Sequence, residues 1–463
     1  MANQKSSVGI RGMEIKTLPK HDQSHISYRE INEDILRFMT QTGPGYYIVL
    51  GALFLLTILL YALPWAYQIY TGQGVTGLNV PVFWGVYLVN FVFWVGVAHA
   101  GTLISAMLYI TETPWRRAIA RGAETMTLFA LVIVTFFVFI HMGRPWNFYW
   151  SFPYPNTRQL WTSFQSPLMF DVFAIGTYFT SSVIFLYFGM IPDLASLRQS
   201  STGWRKSLYR VMSLGWRGTD RQWHMHGKAC MFFSSFIMPL VVSVHSIVSW
   251  DFALSVVPGY SKTVFAPYFV TGALLSGFAG VLLMLTVIRW FFPIMKKYVT
   301  AYHFDRIGII ILVLSLTWSY CTLMEVVTGL YANTSQELEH LKFKLLTPPY
   351  SYLFVLMIFS NTLVPLSLMI RKIRSCEIGM FFICIFVLIG MWLERYLIVP
   401  NSLSRKFLPW MWHDYFPSWV EVSITVGAVC FFIFMFMAFI KIFPVVSLFE
   451  VKEDAGIPMK KGH

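Results

Sequence analysis

Residues 121–141 read RGAETMTLFALVIVTFFVFIH. No charged residue separates Glu124 from His141. About 20 predominantly apolar residues cross a bilayer as one helix, so this segment is a span with a titratable group at each end. At 1.5 Å per residue the two groups stand roughly 26 Å apart. Working outward, the same signal recurs at 46–70, 81–110, 167–191, 227–249, 265–291, 306–329, 349–370, 376–398 and 418–443. The fold read from this pattern is an all-α integral membrane protein with ten transmembrane helices. A polar segment (1–43) precedes the membrane domain (44–443), and a short tail (444–463) follows it.

Composition agrees. Of 463 residues, 56% are hydrophobic and 18% aromatic. Only 12% are charged, against about 25% in soluble chains. No soluble domain of ordinary size fits between the spans. The net charge of +13 does not point to nucleic acid, because Lys and Arg gather in cytoplasmic loops during insertion. The N-terminus, the even-numbered turns and the C-terminus hold roughly 23 Lys and Arg, the other side about 7. That bias places both termini in the cytoplasm. No apolar stretch follows Met1, so a cleaved signal peptide is not expected and the first helix acts as the insertion signal.

The five cysteines form no C-x-x-C or C-x-x-C-H pattern, so the sequence offers no ligands for an iron–sulfur cluster or c-type haem. No helix carries two histidines a dozen residues apart, as a diheme cytochrome would require. The expectation is therefore no metal site in this chain, with the cysteines packing as small apolar residues.

The ionisable residues within the spans are the functional candidates, since each costs a few kcal/mol in lipid. His141 ends the third helix and Asp171 lies about one turn into the fourth, so both can face one cavity. A quinol needs two partners that accept protons as its electrons leave. A histidine and a carboxylate suit that task. The same two residues would also serve as a plain helix–helix tether. His245 and Asp251 are read at the outer end of the fifth helix, with Glu325 in the outer half of the seventh. Glu394 and Arg395 are placed in the outer part of the ninth, and Glu421 starts the tenth. His99 sits near mid-membrane, while Glu112 and Glu124 lie near the cytoplasmic ends. His99, Glu112, Glu124, His245, Asp251, Glu325 and Glu394 are candidates for a proton path, which needs such carboxylates and imidazoles. Arg395 also suits neutralisation of a neighbouring carboxylate.

Two outer loops, 142–166 (MGRPWNFYWSFPYPNTRQLWTSFQS) and 399–417 (with FLPWMWHDYFP at its end), are rich in Pro and aromatics. They read as a docking floor for a partner outside the membrane, or as a lid in the headgroup region.

The run His141-Met-Gly-Arg144-Pro145-Trp-Asn-Phe-Tyr, continuing to Ser166-Pro167-Leu-Met-Phe-Asp171, resembles the NrfD-like membrane subunits, the family of the polysulfide reductase membrane anchor. Trp84-Gly85-Val-Tyr-Leu-Val-Asn90-Phe and Ala98-His99-Ala-Gly101 support it. Within that family the ten spans and long outer loops look most like ActC-type subunits of bacterial alternative complex III.

The resemblance implies two four-helix bundles, helices two to five (about 81–249) and six to nine (about 265–398), flanked by helices one and ten. It implies a quinol site near the periplasmic face, with His141 and Asp171 at its matching positions and Arg395 and Tyr396 as looser ones. It implies no redox cofactor in the chain and menaquinol as the substrate expected. Implied partners are a periplasmic iron–sulfur subunit, multi-haem c-type cytochromes, a sister NrfD-like subunit and a terminal oxidase. The implied location is the bacterial inner membrane.

The function expected is thus quinol oxidation within a respiratory quinol:cytochrome c or terminal oxidase oxidoreductase, with proton translocation as an extension. The rival readings are an NrfD-type quinone-reducing anchor of another molybdo/iron–sulfur enzyme, a passive anchor, and a secondary transporter. A transporter would hold its site near mid-membrane between broken helices, whereas the ionisable groups here gather toward one face.

Overall fold

The computed structural model describes residues 28–40, 42–111, 113, 119–152 and 164–449. Glu112 and the middle of the 142–166 loop lie outside the described residues. Among the described residues, ten helices are long and apolar enough to cross a membrane: Pro44–Thr71, Val86–Ile110, Ala120–Met142, Pro167–Ser200, Asp220–Ala253, Phe265–Phe291, Ala301–Ala332, Tyr350–Met369, Glu377–Ser404 and Trp419–Ile442. Most run longer than their apolar cores because polar caps extend them. Thr219 with Gln222, and Ser418 with Glu421, form reciprocal capping boxes that satisfy the first free N–H groups. The ninth helix continues through Pro400 to Ser404, so the loop expected from residue 399 starts after it. The first and eighth spans each contain a π-turn, at Ile58–Ala62 and Phe359–Leu363, just before Pro64 and Pro365. A proline has no N–H to continue the ladder, and the wider turn accommodates that loss.

The second span packs on the third and fifth, and the fourth on the fifth. The sixth packs on the seventh and ninth, and the eighth on the ninth. The first span packs on the tenth. The second and sixth spans lie between the two groups, with 89% and 78% of their most apolar windows buried, against 11% for the first. Their helices meet at glycine: a Cβ on Gly277 would lie 1.7 Å from the Ala100 Cβ. A side chain there must push the second and sixth spans apart.

One end of the molecule collects the odd-numbered turns. There Glu421 accepts hydrogen bonds from Gly77 N (2.7 Å) and Tyr415 OH (2.6 Å). The short helix Ser335–Leu346 is held at this end by buried ion pairs. Lys344 Nζ lies 2.8 Å from Glu325, and Lys262 Nζ lies 3.3 Å from Glu337. Glu325 therefore pairs with a connecting helix rather than standing free in the seventh span. The opposite end collects the termini and the basic turns. There Lys297 pairs with Asp34 at 3.1 Å, and Lys441 Nζ donates to Phe38 O at 2.7 Å.

The packing can be tested at two positions. Gly277→Ala should cost about 2 kcal/mol as an overpacked contact, read as a lower melting temperature in detergent; an unchanged melting temperature contradicts the contact. His340, within the ion-paired helix, is pushed down to about 3 by burial, with Lys344 and Lys262 adding to the effect. The unfolded chain takes up that proton below about pH 6.5, while the folded chain refuses it until about 3. Stability should therefore fall as pH drops through this window, by up to about 1.4 kcal/mol per unit. His340→Gln should flatten the dependence, and identical pH profiles for variant and wild type would refute the assignment.

Candidate functional site

His141 owes its position to the end of the third span. Gly143 closes that helix at φ 72, a conformation that side chains disfavour. Gln73 packs against Gly143 and donates from Nε2 to His141 O at 2.8 Å. Gln68 Nε2 donates to Ile140 O at 3.1 Å, and Tyr87 OH donates to Gln68 Oε1 at 2.6 Å. Free carbonyls at a helix end need such donors. Here they come from the first span and the following turn, with Tyr87 of the second span orienting Gln68, so the helix end that carries His141 is fixed by its backbone. The fourth span starts at Pro167, whose missing N–H is not needed there. Asp171 falls one turn further in. Asp251 lies in the last turn of the fifth span.

These side chains meet. The Asp171 and Asp251 carboxyls lie against each other. Beyond that mutual contact, Asp171 Oδ1, Asp251 Oδ1 and His141 Nδ1 are buried without a protein hydrogen-bond partner among the described residues. Buried polar atoms left this way call for an explanation, and a ligand is one.

All three residues line a cavity of about 610 Å³ between spans two to five. Its other walls are apolar and aromatic, including Trp84, Phe91, Phe136, Phe179 and Phe252. Phe148, Phe152 and Leu168 also line it yet are exposed, which marks the mouth beside the ends of the third and fourth spans. A cavity of this size with few convergent polar groups is typical of a small-molecule site. Asp251, read from sequence as a proton-path residue, is thus part of the same cavity as His141 and Asp171.

His245 is not in the cavity lining. It lies deeper, its ring 4.7 Å from that of His99, which stacks on Tyr178 at 4.8 Å. From His99 a polar stripe runs along the second span through Thr102 to Ser105, whose hydroxyl donates to Glu124 Oε1 at 2.5 Å. Glu124 is 3.7 Å from Arg121 Nε, and Arg121 Nη2 is 3.3 Å from Asp193. His99, His245 and Glu124 therefore lie along one line through the first bundle.

Arg395 and Tyr396 do not line the cavity either. Arg395 is ion-paired with Glu394 and lies over the Phe269 ring at 4.6 Å. Glu394 accepts from Trp318 Nε1 at 3.0 Å. Tyr396 OH donates to Tyr415 O at 3.2 Å, and its ring stacks on Trp392. The looser quinol-site positions are engaged in packing the second bundle.

Residues 74–407 match the family model described as "Polysulphide reductase, NrfD". A protein of Halobacterium salinarum, provisionally named as a membrane subunit of dimethyl sulfoxide reductase, is 28% identical over 225 residues, covering 48% of this chain and 47% of the relative. A selenate reductase subunit of Mesobacillus selenatarsenatis is 23% identical over 222 residues, covering 46% of this chain and 50% of the relative. The chain thus spans about half the length of the curated relatives it matches. With the family match extending from the turn before the second span to beyond the ninth, the chain is a multi-pass membrane protein belonging to the NrfD family.

Proposed function

We propose that the chain is the quinol-reactive membrane subunit of a multi-subunit reductase, binding the quinol head group between His141 and the Asp171–Asp251 pair. The observation that carries this reading is the convergence, in one aromatic cavity with a mouth at its edge, of two carboxyls and an imidazole that each carry a buried atom without a hydrogen-bond partner among the described residues. One quinol hydroxyl gives its proton to the carboxyl pair and the other to His141 Nδ1. The pair holds one proton before the reaction and two after it. The quinol loses two protons and two electrons and becomes quinone. Proximity and proton acceptance are the protein's contribution.

The electrons leave to an iron–sulfur subunit docked on the aromatic turns of the same end, where Trp146, Trp150, Trp410 and Phe416 are exposed. Aromatic residues are enriched where partners dock. The matched relatives bear the names of reductase subunits. This favours a molybdo/iron–sulfur reductase as the electron acceptor over the cytochromes, sister subunit and terminal oxidase of alternative complex III. It also favours quinol oxidation over quinone reduction, because a reductase consumes electrons. The charge bias of the turns places the site end on the outer face.

Asp171→Asn should lower quinol oxidation by the assembled complex at least about 100-fold, the worth of a positioned proton acceptor, with assembly unchanged. Undiminished turnover would reduce the carboxyl pair to a tether. A tagged chain gently solubilised from its native membrane should bring down an iron–sulfur protein and a large reductase subunit. Multi-haem c-type cytochromes in their place would return the acceptor to the alternative complex III type. Isolation of the chain alone would remove the redox reading.

The line from His245 through His99 to Glu124 is a route for protons in the same proposal. Glu124→Gln should then lower proton release from vesicles during turnover. Equal release by variant and wild type counts against the route.

A further inference from the structure

At the end of the molecule opposite the His141 cavity, a second cavity of about 510 Å³ opens between the last turn of the fourth span, the turn that follows the helix Gly203–Met212, and the first turn of the fifth span. Its wall includes Arg198, Arg217, Gln199, Trp216 and Trp223, and among the described residues no carboxylate. Arg198 is anchored, donating from Nη1 to Ser213 Oγ at 3.3 Å and from Nη2 to Trp216 O at 3.5 Å. Arg217 is exposed, and among the described residues its guanidinium has no acidic partner. Gly218 lies between the two indoles at φ 74. A Cβ on it would lie 3.8 Å from Trp223 Nε1 and 3.9 Å from Trp216 Nε1. Both indole nitrogens therefore lie close to one point on the cavity wall, and an indole nitrogen donates only.

Two guanidiniums and two indoles around an open volume, with no carboxylate among the described lining residues, suit an anion. We propose that this cavity binds a phosphate-bearing anion, presented by the headgroup of an anionic phospholipid. Arginine matches phosphate oxygens in a bidentate fork. Two observations favour the lipid as the source of the phosphate. The cavity lies where two spans leave the membrane, at the end that carries the basic turns. Tryptophans such as Trp204, Trp216 and Trp223 are at home at headgroup depth. Basic pockets between spans on the positive side are where such headgroups are held. The proposal does not depend on the quinol reading, since the two cavities share no lining residue.

The test uses the full complex, purified in mild detergent and washed until bulk lipid is removed. Retained lipid is then quantified by mass spectrometry after incubation with vesicles of anionic or zwitterionic phospholipid. Wild type should retain the anionic lipid in preference to the zwitterionic one. Arg217→Gln, which breaks no contact in the fold, should weaken retention about fivefold, the worth of one basic side chain at an anionic surface. Arg198→Gln with Arg217→Gln should abolish the preference. Equal retention by wild type and Arg217→Gln overturns the site. Binding of radiolabelled inorganic phosphate that Arg217→Gln removes, without lipid preference in wild type, keeps the anion site and overturns the lipid as its source.

Discussion

Asp171 and Asp251 meet carboxyl to carboxyl inside an apolar bundle, and much of the first bundle's geometry serves that meeting. A buried carboxylate without a partner costs several kcal/mol. Bringing the two together fixes the fourth and fifth spans in register. The third span adds His141 at the same depth, held by Gln73 and closed by Gly143. The result is a cavity whose walls are apolar and whose few polar atoms are left for something other than protein. In such surroundings a proton acceptor is more effective than in water, because no solvent competes for its lone pairs.

The second bundle spends its ionisable residues differently. Glu394 is satisfied by Arg395 and Trp318, and Glu325 by Lys344. Both carboxylates have a counter-charge, so they set helix register. The first bundle carries polar atoms without partners around an open volume. That contrast, rather than the number of ionisable residues, separates a reactive site from a scaffold.

Much of this was legible in the sequence. Ten apolar stretches announce ten spans because lipid leaves the backbone no alternative to helix. His141 and Asp171 are close in sequence across one turn, so depth alone suggested their meeting. Asp251 stands at the same depth on the next span, but which way a helix is rotated is set by packing, and an apolar helix in lipid carries little periodic signal of it. The same gap put Arg395 and Tyr396 near the quinol, although their partners Glu394 and Tyr415 turn them into the second bundle. It also left His245 at the outer face, while its contact with His99 sets it deeper. Gly277 and Gly143 were unreadable as contacts, because a glycine shows its role only through what approaches it.

The most direct measurement is photolabelling of the purified chain with an azido-quinone, followed by mapping of the labelled peptides. Label should fall on residues 132–142 and 168–180, the walls of the His141–Asp171–Asp251 cavity, and unmodified quinol should compete it away. Label confined to the seventh, eighth or ninth spans, or indifferent to competition, would contradict a quinol site between spans two to five.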